Sequence, residues 1–381
     1  MKNKSETIGR RIAILDLLRG YCLTIIIVDH LMRFPSIFDA ITGRGLLWVS
    51  AAEAFFFLSG VVTAVVRPRQ IAKQGHRKTY QSIWKRAGQL YLVSIILTLG
   101  YTIIGRFLQG NPAVKPGLDA TNDWLHVISQ TLSFQYVYGW ADFLPFYVVY
   151  LLLTPLALYL LERKLWKLLA VLAVVGWIIP HTMYGDGMNQ HFFVWQAYYF
   201  IGIILGWLYP VIMARFRALK PTLQSQIIWT ILGLTALTIA LSWVYTYVAI
   251  FFQNHPEALP ADAWYAPLVA AVNLQTQNIH WLFSDNRTGL LRLPMALLWF
   301  SGFYLLFKRF QATLEQYLGW YLTPMGSSSL YVYIVHSAII YMAAFMVLPN
   351  NLVVNSLIVT TVLLSIWLLV RNRILFGIIP R

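Results

Sequence analysis

A chain of 381 residues that is 59% hydrophobic, 15% aromatic and only 11% charged, with a mean hydropathy of +0.62, is too apolar for a soluble globular domain. Its net charge of +15 would point to nucleic acid in a soluble protein, but in a membrane protein the placement of the charge decides its meaning. The single cysteine, Cys22, excludes an internal disulfide.

Runs of about 20 mostly apolar residues, the length that crosses a bilayer as a helix, occur ten times: 13–32, 46–66, 83–108, 143–161, 165–183, 192–213, 227–252, 290–307, 327–348 and 352–370. The first follows a basic start, but no small-residue cleavage site comes after it, so it reads as a retained span rather than a removed signal. Lipid-exposed backbone must satisfy its own hydrogen bonds, so every run should be a helix. The expectation is an all-α integral membrane protein: one domain over 1–381, a bundle of ten transmembrane helices with both termini cytoplasmic.

On that topology 22 of the 29 basic residues fall on the cytoplasmic side, with six outside (Arg33, Arg44, Arg106, Lys115, Arg287, Arg292) and Arg19 inside the first span. This positive-inside bias accounts for the net charge without nucleic acid and sets basic loops against anionic lipid. Two long outer segments, 109–142 and 253–289, are rich in Trp, Tyr, Asn and Gln. They predict short amphipathic helices capping the outer face. No internal repeat or pair of interrupted spans is visible.

The first span reads DLLRGYCLTIIIVDH over 16–30. Each ionisable residue at mid-bilayer costs at least ~2.5 kcal/mol, so Asp16, Arg19, Asp29 and His30 either serve a function or sit at wet helix ends. Arg19 and His30 are eleven positions apart, a net rotation of ~20° and a rise of ~16 Å, so they share one face. The second span, WVSAAEAFFFLSG, returns Glu53 to roughly the depth of His30. Glu53, Asp29 or both would hydrogen-bond the imidazole and prepare it as a general base. Glu53 is the better candidate, because Asp29 points about 100° away from His30 on the same helix. Ser59 and Gly60, which follow, read as small residues for close helix packing. The histidines show no metal-ligand spacing such as HExxH, so no metal site is expected.

Four stretches carry a resemblance: LDLLRGYCLTIIIVDH (15–30), SAAEAFFFLSG (50–60), WADFLPFYVVYLLLTPLAL (140–158) and FFVWQAYYFIGIILG (192–206). They resemble the acyltransferase family 3 membrane proteins, most closely the OpgC-type branch, whose namesake succinylates periplasmic glucans. A fifth, PMGSSSLYVYIVH (324–336), is similar to the late-span segment of the wider superfamily. The resemblance implies a multi-pass enzyme of the plasma or inner membrane. It would transfer an acyl group, acetyl or succinyl, from cytosolic acyl-CoA as co-substrate to a hydroxyl of an extracytoplasmic glycan. His30 would be the base, supported by Glu53 and Asp29, and Arg19 would help hold the acyl-CoA. Arg67, Arg69, Lys85 and Arg86 are the cytoplasmic cations placed to meet its phosphates. Asp142 would orient the acceptor hydroxyl, its other reading being a helix N-cap. Trp195 and Gln196 would line the central cavity, although a tryptophan near a helix end is also an interface anchor. His336 is either a packed, hydrogen-bonded histidine or part of the reaction chamber. The competing readings are a transporter or flippase of glycan or lipid-linked intermediates, with the intramembrane charges as a proton relay, and a non-catalytic partner presenting substrate to another enzyme.

Overall fold

The computed structural model describes residues 2–107, 123–182, 188–254, 283, 289, 291–343, 345 and 348–379. All regular structure among them is helical. The helices are α1 (Lys2–Leu31), α2 (Asp39–Thr42), α3 (Ala51–Phe107), α4 (Trp124–Leu132), α5 (Phe143–Glu162), α6 (Trp166–Ile178), α7 (Met188–Arg217), α8 (Pro221–Asn254), α9 (Arg292–Arg309), α10 (Gln311–Tyr317), α11 (Gly319–Ser327), α12 (Ser329–Ala343) and α13 (Leu352–Arg371).

Each of the ten apolar runs falls on one of these helices. Five segments are long and apolar enough to cross a membrane: Ala51–Phe107, Phe143–Glu162, Phe192–Arg217, Pro221–Val248 and Leu352–Arg371. They mark a membrane protein. The remaining runs differ for visible reasons. The apolar part of α1 carries Asp16, Arg19 and Asp29, and α9 carries Arg292, Lys308 and Arg309, while α6 and α12 have only 13 and 15 residues. Outward faces are apolar, as lipid requires: α8 exposes Trp229, Leu237 and Val244, and α13 exposes Val353 and Leu357.

The second and third runs lie on one continuous element, α3, which bends at Gly75 (φ 81°, ψ 166°). That positive φ is open to glycine at little cost. The bend is a reversal, since Arg67 reaches the Ser82 hydroxyl at 3.3 Å although fifteen residues of straight helix would put them ~22 Å apart. The expected runs 46–66 and 83–108 are therefore the two limbs of one helical hairpin rather than helices separated by a loop.

Of the two segments expected to lie outside, the first contains one short helix, α4, capped by the Asp123 side chain on the His126 N–H. Lys115, Arg287, residues 109–122 of the first segment and most of the second lie outside the described residues.

Two backbone contacts fix the core. Gly20 of α1 lies against the Leu322 carbonyl of α11, and Gly60 of α3 lies against the Tyr199 carbonyl of α7, both so close that a Cβ has no room. This is the small-residue packing by which membrane helices approach one another. Gly60→Leu is expected to separate α3 from α7 and abolish recovery of monodisperse protein from detergent. Normal size-exclusion behaviour and melting would contradict the contact. Around these seams Leu17, Leu23, Ile27, Phe56, Leu144, Tyr150 and Tyr198 are fully buried.

Candidate active site

Helix α1 runs unbroken from Arg19 to His30, so the shared face survives folding. That face meets α12. Arg19 donates to the Ser329 hydroxyl at one end. Eleven residues on, His30 Nδ1 lies 3.0 Å from His336 Nε2, with the ring centroids 5.3 Å and the ring planes 28° apart. Both contacts advance in the same chain direction, so α1 and α12 run parallel through the site. His336 is fully buried and its Nδ1 faces the Tyr333 carbonyl one turn earlier.

Below this rung a cavity of about 300 Å³ is lined by Arg19, Ser59, Thr63, Arg67, Gln70, Arg86 and Tyr147, with two valines between them. Three guanidiniums converge here from α1 and both limbs of the α3 hairpin. Arg67 also donates to Gln70 at 2.6 Å, and Arg19 stands over the Phe55 ring. Arg19 Nε and Ser59 Oγ are buried with no hydrogen-bond partner among the described residues. Unpartnered buried donors beside clustered arginines suit an anionic ligand such as a phosphate. Of the predicted cations Arg19, Arg67 and Arg86 are therefore brought together, whereas Arg69 and Lys85 are exposed and outside the cavity lining.

A family model described as OpgC protein matches residues 10–374, nearly the whole chain. The chain belongs to the OpgC family. Membership implies an acyltransferase-type enzyme. No curated protein and no solved structure matches the chain.

In this OpgC-family protein the carboxylates lie elsewhere than beside the imidazole. Glu53 pairs with Arg292 of α9, accepts the Ser50 N–H at 2.9 Å and takes a longer bond of 3.4 Å from Tyr198, with 1% of its side chain exposed. The expected contact with His30 is thus corrected. SAAE is a capping-box sequence, serine at the N-cap and glutamate three residues on, and the carboxylate turns back to the N-terminus of its own helix. Asp29 points to another side of α1, as its spacing requires. It is hydrogen-bonded by Thr42 and lines a second, largely apolar cavity of about 520 Å³ that extends to Tyr209 and Tyr304.

The residues expected to meet the acceptor divide. Asp142 immediately precedes α5, and its carboxylate accepts the Tyr333 hydroxyl. Trp195 joins an aromatic wall with Phe56 at 5.2 Å and Phe146 at 5.5 Å, and Phe143 carries that wall to Tyr333 at 4.7 Å. Tyr333 in turn packs on His336 at 4.7 Å. Gln196 lies apart from this wall: buried between helices, it donates to the Ala173 carbonyl and ties α7 to α6. Sequence reasoning missed Arg292, Ser329 and Tyr333. The last two could have been found with His336 as the stripe S-x-x-x-Y-x-x-H, whose members lie within about 60° of one another on a helix. Among the described residues no three His, Cys, Asp or Glu side chains form a metal-binding group.

Proposed function

We propose that this protein is a membrane-bound O-acyltransferase that moves an acetyl or succinyl group from cytosolic acyl-CoA to a hydroxyl of an extracytoplasmic glycan. The observation that carries this reading is one straight helix with its cation in an arginine-lined cavity and its imidazole ~16 Å further along the same face. An extended pantetheine arm is of order 15 to 20 Å on covalent bond lengths, comparable to that spacing. In this reading ten spans cross the membrane, both termini are cytoplasmic, and the arginine cavity opens to the cytosol.

The CoA phosphates rest against Arg19, Arg67 and Arg86, and the thioester reaches His30. His30 takes the proton of the acceptor hydroxyl as its oxygen attacks the thioester carbon. The tetrahedral intermediate collapses, the carbon–sulfur bond breaks, and the CoA thiolate leaves with the proton held by the imidazole. Asp142 and the aromatic wall lie where an acceptor sugar would be met. Basic loops face anionic lipid of the inner leaflet.

Purified protein incubated with acetyl-CoA or succinyl-CoA and a glucan acceptor is expected to release free thiol and form glycan ester. Glycan flux into vesicles with no CoA requirement, and no thiol release, would favour a transporter and overturn the proposal. Charge-assisted hydrogen bonds contribute roughly 1.5–3 kcal/mol. Arg67→Ala and Arg86→Ala should therefore each raise the KM for acyl-CoA about tenfold or more, with kcat little changed. An unaltered KM in both would remove the cavity from the donor site.

A further inference from the structure

Resting on His30 as the base, we infer that His336 is a positioning residue that fixes the tautomer of His30 and leaves its Nε2 as the free lone pair.

The argument follows the protons from one atom that cannot donate. The Tyr333 backbone carbonyl is an acceptor only, so the His336 Nδ1 that faces it must carry a hydrogen. With both rings neutral, His336 Nε2 is then an acceptor. His30 Nδ1, 3.0 Å away, must be the donor. Its proton is therefore on Nδ1, and Nε2 is the unprotonated nitrogen. His30 is only half-buried and Nε2 has no hydrogen-bond partner among the described residues, so the basic nitrogen is the one that its protein neighbours leave unengaged. The neighbour of a catalytic histidine commonly sets which nitrogen bears the hydrogen, and an orienting carboxylate usually does it. Here the orienting group is a second imidazole, held in turn by the backbone of its own helix. Glu53, the carboxylate that could have taken the role, is engaged with Arg292.

The arrangement also orders the proton's path. When Nε2 takes the hydroxyl proton, the positive charge of the His30 imidazolium is shared through Nδ1–H with the His336 lone pair. The departing CoA thiolate then receives that proton from Nε2, and both rings return to their starting state. Tyr333 is held from its hydroxyl end by Asp142 and by the Phe143 ring, so the support of the base runs from α12 to the start of α5.

Two substitutions separate this role from packing. In His336→Gln the side-chain oxygen can still accept from His30 Nδ1, whereas His336→Leu fills similar space with no acceptor. Thiol release from acetyl-CoA and succinyl-CoA is expected to show kcat reduced roughly 100-fold in His336→Leu, at the low end of what an acid–base group contributes. KM should stay within about twofold, and His336→Gln should recover most of the loss. Equal melting temperatures of the two variants guard against misfolding. Nitrogen-15 NMR of histidine-labelled wild-type protein in nanodiscs should find His30 protonated at Nδ1. A wild-type kcat in His336→Leu, a loss in His336→Gln equal to that in His336→Leu, or a His30 proton on Nε2 would overturn the inference. If His30→Ala itself keeps full thiol release, the base assignment falls instead, and the NMR result still decides the tautomer.

Discussion

His30→Ala is expected to reduce acyl transfer to the rate that binding and orientation alone sustain, a loss of at least ~10²–10⁴-fold in kcat, the contribution of a general base. Inserted and folded protein should persist, because His30 is half-buried and its one polar tie among the described residues is to His336. Among the described residues no serine or cysteine is hydrogen-bonded to His30 as a relay nucleophile would be. The assay is thiol release by purified protein, with mass spectrometry of glycan esters in cells expressing the variant. Acylation at the wild-type level would remove His30 from the chemistry. The KM for acyl-CoA should stay near the wild-type value, since the proposed phosphate contacts lie at the opposite end of the α1 face.

The second large effect concerns stability. Glu53 and Arg292 form an ion pair with 1% and 5% of their side chains exposed, so removing one partner strands the other charge in a poorly solvated place. Such losses cost ~3–5 kcal/mol. Glu53→Ala should therefore sharply lower the melting temperature in detergent and the yield of folded protein. It also removes the cap on Ser50 N–H, worth about a further 1 kcal/mol. Arg292→Leu should be similarly harmful, and the double variant Glu53→Leu with Arg292→Leu less harmful than the sum of the two. Additive losses would show that the pair is not coupled. A parallel drop in folded protein and activity, with unchanged activity per folded molecule, is the signature that separates this pair from the roles proposed for His30 and His336.

These two cases show where sequence reasoning reached and where it stopped. Hydropathy over a 20-residue window finds ten apolar runs that lie on nine of the helices, because burial of backbone in lipid leaves a chain little else to do. It also divides α3 at the right place without revealing that Gly75 joins the halves into one hairpin, since a basic, polar stretch can be loop or helix. Helical phase placed Arg19 and His30 on one face and turned Asp29 away, a local consequence of 100° per residue. Contacts between distant helices are another matter. The pairing of His30 with His336 spans 306 positions, and nothing in either stretch specifies the other as its neighbour. Depth alone made Glu53 the natural partner of His30, yet SAAE already contained a local rule that sends that carboxylate back to its own helix N-terminus. Gln196 illustrates the opposite error: a polar residue beside Trp195 was assigned to the cavity wall when its amide serves a helix–helix seam.

The unbroken course of α1 between Arg19 and His30 makes distance and phase inseparable. Inserting or deleting one residue there would alter the span by 1.5 Å and also swing the imidazole by 100°, off α12 and away from His336. The reach between the two ends can therefore change only in whole turns, in steps of about 5.4 Å, and never by gradual adjustment.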